Sequence, residues 1–117
     1  MEVIIYHEKY NREEALDNFI DVLYSNQMKY LASDLLKEGF SPSDIRSAVQ
    51  RAISVGKSSD LDLRQHFSPI YTQSADQVIR DCKLSKLGYA LVLLNAPAEN
   101  PLVGNWQLKI LKKYFEG

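Results

Sequence analysis

Apolar residues recur every three or four positions through most of the chain, which is the spacing of amphipathic α-helices. This pattern predicts five helices, each preceded by a residue whose side chain can cap a helix N-terminus: Asn11, Asn26, Ser41, Ser85 and Asn100. The third start is the clearest, because Pro42 suits the first helical position and Asp44 stands where a capping-box acid belongs. Gly39 is predicted to end the second helix in a left-handed conformation.

The apolar positions also predict which helical faces are buried. The first helix should bury one stripe, formed by Ala15, Leu16, Phe19, Ile20, Leu23 and Tyr24. The last helix should turn a similar set inward, namely Val103, Trp106, Ile110, Leu111, Tyr114 and Phe115. The fourth helix is apolar on more than one face, so it is predicted to be the central core helix, buried on nearly all sides; its apolar residues are Leu84, Leu87, Leu91, Val92 and Leu94.

Three segments have the β-branched and aromatic composition of strands. These are residues 3–6 at the N-terminus and two runs, 69–73 and 77–83, separated by a plausible hairpin turn at 74–76. The sequence therefore predicts an α+β fold with about five helices and a small antiparallel sheet of two or three strands. The length of 117 residues fits a single domain covering the whole chain, 1–117.

The composition excludes several classes of protein. Hydrophobic residues make up 45% and charged residues 25%, as in an ordinary globular protein. The opening residues MEVIIYHEKY lack the basic region of a signal peptide, and the apolar run 87–96 is about half a membrane span. A cytoplasmic protein without a membrane partner is expected. The single Cys82 rules out an internal disulfide framework.

Charge is distributed unevenly along the chain, although the net charge is only −1. Residues 1–21 carry six acidic and two basic side chains, whereas the remainder carries twelve basic and nine acidic ones. The chain lacks the strongly basic balance of a domain built mainly to bind polyanions. Any binding of nucleic acid must therefore depend on a local basic patch.

The segment 28–53 has the order and spacing of a helix-turn-helix unit, with Gly39 in the turn. Such a unit places its second helix, here around residues 42–54, in the major groove of DNA. The side chains predicted to face the bases are Arg46, Ser47, Gln50 and Arg51. Further phosphate contacts are predicted from Lys57, Lys83 and Lys86. Duplex DNA is a better match than single-stranded DNA, although tyrosines such as Tyr30 could stack on unpaired bases.

Two other interpretations of this segment stay open. It could be a solvated helical hairpin with no ligand, because Asp34, Glu38 and Asp44 lie on the same unit. It could also be a face that binds a protein, such as a repressor, without contacting DNA. The acidic residues between 2 and 21 would suit a basic partner. A second copy of the same chain, forming a homodimer, is a further predicted partner.

No catalytic, cofactor or metal motif is present. His7, His66 and Cys82 lack the spacing of a zinc site. His66 is expected to order the segment before Phe67, and Cys82 to be an unreactive strand cysteine. Because the Gly-rich and nucleophile-elbow motifs of phosphoryl and acyl transfer are also missing, a non-enzymatic protein without a cofactor or metal is predicted.

The stretch from Ile45 to Asn95 resembles the N-terminal domain of the BRO family, whose relatives include phage antirepressors and the DNA-damage-inducible protein D. The residues that carry the resemblance are His66, Phe67, Asp81, Lys83, Leu84, Ser85, Lys86, Tyr89 and Asn95. Cys82, Gly88 and the sequence APAENP after the terminal Asn depart from the family pattern. The resemblance implies a DNA-linked regulatory module of phage or mobile-element type, without enzymatic activity. Larger members of the family carry a second domain, whose effector role does not transfer to this chain.

Overall fold

The computed structural model describes residues 12–74 and 76–116. Within these ranges the chain forms four α-helices, two 3₁₀ helices and a three-stranded antiparallel sheet. In chain order the elements are α1 (Arg12–Gln27), β1 (Tyr30–Leu31), a first 3₁₀ helix (Ala32–Glu38), α2 (Pro42–Ser58), a second 3₁₀ helix (Leu63–Gln65), β2 (Phe67–Ser74), β3 (Gln77–Leu84), α3 (Lys86–Leu94) and α4 (Pro101–Glu116). The predicted α+β class is confirmed. The second of the five predicted helices is the first 3₁₀ helix, and the other four are α-helices.

β3 is the central strand of the sheet, whose order is β1-β3-β2. β2 and β3 form the predicted hairpin, which pairs Phe67 with Leu84 at its base and Ser74 with Gln77 near its tip. β1 pairs with the other side of β3, where Tyr30 lies opposite Leu84. Leu84 therefore has a strand neighbour on each side. The predicted strand 3–6 lies outside the described residues.

α2 begins with the predicted capping box. The Ser41 Oγ accepts a hydrogen bond from the Asp44 N–H at 3.1 Å, and the Asp44 carboxylate accepts one from the Ser41 N–H at 3.4 Å. Pro42 occupies the first helical turn. Just upstream, Gly39 ends the first 3₁₀ helix with a φ of 92°, the left-handed conformation that glycine adopts without steric cost. The start and direction of α2 are therefore set by neighbouring residues.

The core lies where α2, α3 and the first 3₁₀ helix meet the base of the hairpin. Its largest fully buried side chains come from four separate elements: Leu35, Leu84, Val92 and Val103. α2 contributes Ala48 and Ala52, which are also fully buried. Because alanine is small, these two positions allow neighbouring elements to approach the axis of α2 closely.

Both C-terminal helices begin at their predicted caps. The Ser85 Oγ accepts a hydrogen bond from the Gly88 N–H at 3.0 Å, and the Asn100 Oδ1 accepts one from the Leu102 N–H at 2.9 Å. α3 enters the core, but Leu87 in its first turn is 51% exposed. The prediction that this helix is buried on nearly all sides is therefore wrong for one face.

The second predicted helix starts later than expected. α1 continues through Asn26, which was the predicted cap, and the chain then pairs with β3 before turning into the first 3₁₀ helix. The Leu31 N–H donates to the Asp34 carboxylate at 2.9 Å. This side-chain bond satisfies a donor at the start of the turn, so the helix begins at Ala32.

Two of the predicted buried stripes have half of their residues exposed. Exposure ranges from 45% to 78% for six of their large apolar residues: Leu16, Phe19 and Leu23 in α1, and Leu111, Tyr114 and Phe115 in α4. Helical periodicity shows which residues share a face, but it does not show whether another element covers that face. The radius of gyration of 16.7 Å, against about 13 Å for a compact domain of this length, agrees with faces that project from the body.

Candidate nucleic-acid interface

The exposed side of α2 carries a polar and basic stripe, formed by Arg46, Gln50 and Lys57 and called the α2 stripe below. All three residues are exposed, and their spacings of four and seven place them on one side of the helix. The stripe extends about 16 Å along the helix axis. The single carboxylate of α2, on Asp44, lies about 120° around the helix from Gln50. Neither Arg46 nor Lys57 takes part in the ion pairs of the described residues, all of which involve Arg64.

The opposite side of α2 fixes the direction in which the stripe points. Ile45, Ala48, Ala52 and Gly56 are buried along that side, and α2 packs there against α3 and both 3₁₀ helices. Because buried packing on one side of a helix prevents its rotation, the α2 stripe is held toward solvent.

Arg51 is exposed, as predicted, but it does not belong to the α2 stripe. It follows Arg46 by five residues, which is about 140° around a helix, so the two side chains cannot share a face. Its Nε and Nη2 groups both donate to the main-chain oxygen of Asn95, at 3.1 and 2.6 Å. This interaction satisfies a carbonyl at the C-terminal end of α3. Ser47, another predicted contact, is half-buried between the stripe and Arg51.

Lys83 is also committed to a contact within the chain. Its side chain is half-buried, and its Nζ donates to the main-chain oxygen of Ser25 at 3.4 Å. This bond connects β3 to the C-terminal end of α1, so the predicted role of Lys83 in phosphate binding is not supported by its position. Lys86, the first residue of α3, is exposed and remains a candidate for such a contact.

His66 and Ser85 join the base of the hairpin to the start of α3. The His66 Nδ1 lies 2.7 Å from the Ser85 Oγ, the same oxygen that caps α3. The Ser85 N–H donates to the His66 oxygen at 3.1 Å. Gly88 packs directly against this junction. A Cβ atom added to Gly88 would lie 2.4 Å from the main-chain oxygen of His66. His66 therefore orders the segment before Phe67, as the sequence indicates.

The other residues that carry the BRO-like pattern also stabilise the fold. The Asp81 carboxylate accepts hydrogen bonds from the Ser33 N–H and Oγ, which fasten the hairpin to the first 3₁₀ helix. The Tyr89 ring stacks on Tyr30 with centroids 4.9 Å apart, and the Asn95 amide donates to the Leu91 oxygen at 2.8 Å. Of the nine residues in the pattern, Lys86 is the one that is exposed. The pattern is thus mainly a folding pattern.

An open groove of about 620 Å³ lies beside the N-terminus of α2. Its lining includes three carboxylate residues, Glu38, Asp44 and Glu99, together with Phe40 and Asn100. The Asn100 side-chain amide donates to the main-chain oxygen of Glu38, 62 residues away in the chain, at 2.9 Å. No local signal in the sequence predicts this groove, because nothing in the residues around Glu99 indicates that it lies next to the helix-turn-helix-like segment.

The described residues offer no metal site and no reactive thiol. No group of three or more His, Cys, Asp or Glu side chains within 12–74 and 76–116 could hold a metal ion, and His7 lies outside these ranges. Burial raises the pKa of the Cys82 thiol from 9.0 to about 11; the charge of Asp81 adds to the rise, and a hydrogen bond from the Ser68 backbone opposes it. A thiol with this pKa stays protonated at neutral pH and is a poor nucleophile.

Comparison of the chain with protein-family models, with curated proteins and with solved structures finds no match. The resemblance to the BRO family therefore remains a prediction from the residues quoted above. None of the helices in the described part of the chain has the length and apolar character needed to span a bilayer.

Proposed function

We propose that this protein is a non-enzymatic, DNA-binding regulatory module that contacts duplex DNA through the α2 stripe, with a cytoplasmic location. The observation that carries the proposal is the exposed, carboxylate-free stripe formed by Arg46, Gln50 and Lys57 on a helix whose other side is buried. An α-helix fits the major groove, where side chains can reach base edges. The resemblance to the BRO family agrees with this assignment and suggests a phage or mobile-element origin.

The three side chains of the stripe have complementary chemistry for this task. Arg46 can donate two hydrogen bonds to the edge of a guanine, and Gln50 can form a bidentate pair with an adenine. Lys57 lies at the far end of the stripe and can contact a phosphate, as can Lys86 at the start of α3. Two phosphate contacts are therefore available, from Lys57 and Lys86, which agrees with a local patch on a protein whose net charge is −1.

The acidic groove determines how DNA can approach. Glu38, Asp44 and Glu99 would repel phosphates from the N-terminal end of α2. The DNA backbone must therefore pass along the Arg46 and Lys57 side of the helix. In a typical helix-turn-helix protein the N-terminal residues of the recognition helix meet the bases, whereas here the middle of α2 would do so.

The double variant Arg46→Ala with Lys57→Ala tests this assignment. We expect it to weaken binding to duplex DNA by at least about 30-fold in fluorescence anisotropy at low salt, because each contact contributes about 1–3 kcal/mol. Both residues are exposed, so the far-ultraviolet circular dichroism spectrum should not change.

The matched control removes two exposed basic side chains outside the stripe, by Lys29→Ala with Arg80→Ala. It changes the net charge by the same amount but should weaken DNA binding by less than about threefold, through loss of long-range attraction alone. Equal losses in the two variants would contradict a specific role for α2 and would indicate a diffuse attraction to the whole surface.

A second candidate function is the binding of a basic protein, such as a repressor, without any DNA contact. The observation that favours it is the groove, because Glu38, Asp44 and Glu99 place three carboxylate residues in its lining. If the protein is found not to bind DNA, Glu38→Lys with Glu99→Lys, at two exposed residues of the groove, should abolish capture of a basic partner, whereas the Arg46 and Lys57 variant should not.

A further inference from the structure

α4 has two apolar faces, although the fold uses only one. The inner face places Val103 in the core and packs Trp106 against it. On the other side, Leu108, Leu111 and Phe115 follow one another at spacings of three and four, and all three are exposed. A helix on the surface of a monomer needs a single apolar stripe, so a second one indicates a partner.

α1 carries an exposed stripe of matching length. Leu16, Phe19 and Leu23 are spaced by three and four residues, as on α4, and each is at least 45% exposed. Val22 lies beside them and is exposed as well. The half-buried side chains of Ile20 and Tyr24 occupy the adjoining part of the helix surface. Two exposed apolar stripes of similar length and spacing are therefore present in each chain.

The two helices carry opposite charges. The sequence of α1 contains four carboxylate residues and one arginine, whereas α4 contains three lysines, Lys109, Lys112 and Lys113, and one glutamate. Arg64 contacts Asp17 and Asp21 of α1 at 3.6 and 3.7 Å, but it also contacts a third carboxylate, so the acidic excess around α1 persists. Pairing two copies of α4 would bring lysines together, and pairing two copies of α1 would bring carboxylates together.

We propose that α4 of one chain packs against α1 of a second copy of the same chain. Within one chain these helices are attached to different parts of the fold, since α1 packs on the second 3₁₀ helix and β2, and α4 packs on α3. Two-fold symmetry repeats the contact, so that each copy contributes one α1 and one α4, and the assembly closes as a dimer. Apolar stripes supply the attraction, and opposite charges select the α1–α4 pairing over like pairing.

The oligomeric state of the full chain tests this proposal. A chain of 13.4 kDa should sediment as a dimer of about twice that mass at micromolar concentrations. Phe19→Asp and Leu111→Asp should each raise the dissociation constant at least 100-fold. Because both side chains are exposed, the variants should fold as the unmodified protein does. A monomer across the whole concentration range would overturn the proposal.

Mixing the two variants distinguishes this pairing from every like pairing. In a mixed dimer, both substitutions fall in the same α1–α4 contact, and the second contact contains only native residues. Equimolar Phe19→Asp and Leu111→Asp chains should therefore associate more tightly than either variant alone, by at least tenfold. Pairing of α4 with α4 would leave the Phe19 variant dimeric, and that result would overturn the proposal.

Two further variants test the surface and the charges. Tyr71→Asp places the same acidic group on the hairpin, at a residue more exposed than Leu111, and should leave the dimer intact. If Tyr71→Asp dissociated the dimer and the Phe19 and Leu111 variants did not, the proposal would be overturned in favour of an interface through the hairpin.

Lys112→Glu with Lys113→Glu should weaken the dimer at least tenfold at low salt. An unchanged dissociation constant would contradict the role assigned to charge.

Discussion

Replacing Gly88 with alanine is expected to lower the free energy of unfolding by about 2–3 kcal/mol. The new methyl group would stand 2.4 Å from the main-chain oxygen of His66, a group that cannot rotate away as a flexible side chain could. Relief of this overlap requires α3 to separate from the base of the hairpin. That movement would stretch the 3.1 Å bond from the Ser85 N–H to the His66 oxygen and the contact of the His66 ring with the Ser85 hydroxyl.

Gly104 supplies the matched control, because it also lies in a helix and a Cβ built on it would meet no atom within 4 Å. Gly104→Ala is expected to stabilise the protein by about 0.5–1 kcal/mol, since alanine has less backbone freedom to lose on folding. Urea denaturation of both variants measures the difference. If Gly88→Ala proved as stable as the unmodified protein, the close approach of α3 to His66 would be wrong.

Replacing Leu84 with alanine is expected to cost about 2–5 kcal/mol, the range for removal of a fully buried leucine side chain. Leu84 has no exposed surface, and it stands between Tyr30 of β1 and Phe67 of β2 at the point where the sheet meets the helices. Few neighbouring groups can move to fill the space, because strand pairing holds both of its sides. Thermal and urea denaturation should both report the loss.

The control for this substitution is Leu87→Ala, three residues further along the chain. The Leu87 side chain is 51% exposed, so its removal should change the free energy of unfolding by less than about 1 kcal/mol. Equal losses in the two variants would show that the core is not centred on Leu84.

Local hydrogen bonds are the part of this fold that the sequence predicts best. The capping oxygens of Ser41, Ser85 and Asn100 accept from N–H groups two or three residues away, so each helix start follows from its immediate neighbours. The hairpin is predictable for the same reason, since its two strands are joined by a short turn. Gly39 ends a helix because glycine tolerates its φ of 92°.

Long-range contacts give two of the predicted site residues a structural role that the sequence does not indicate. Arg51 and Lys83 were expected to bind phosphate or base edges, but their acceptors are carbonyl groups 44 and 58 residues away in the chain. No local spacing indicates such partners. Arg51 could have been separated from Arg46 by helix geometry alone, because five residues do not bring two side chains to one face. Arg46, Gln50 and Lys57 keep the exposed positions that the sequence predicts.

The exposure of α1 and α4 has a different cause. Their apolar spacing correctly predicts helices, and the prediction that their stripes are buried assumed that the same chain supplies the covering surface. Leu16, Phe19 and Leu111 show that it does not. If a second copy covers them, the sequence pattern describes the assembled dimer better than the single chain.

The most direct test of the central claim is a fluorescence-anisotropy titration of the protein with duplex and single-stranded DNA at several salt concentrations. We expect tighter binding to the duplex, with a log-log slope near −2, because two phosphates are contacted and each contributes about −0.9. Arg46→Ala with Lys57→Ala should make the slope shallower by about one, because Lys57 is the phosphate contact that it removes. Absence of binding to duplex DNA even at low salt would contradict the account and would make the acidic groove, with a basic protein as its partner, the leading alternative.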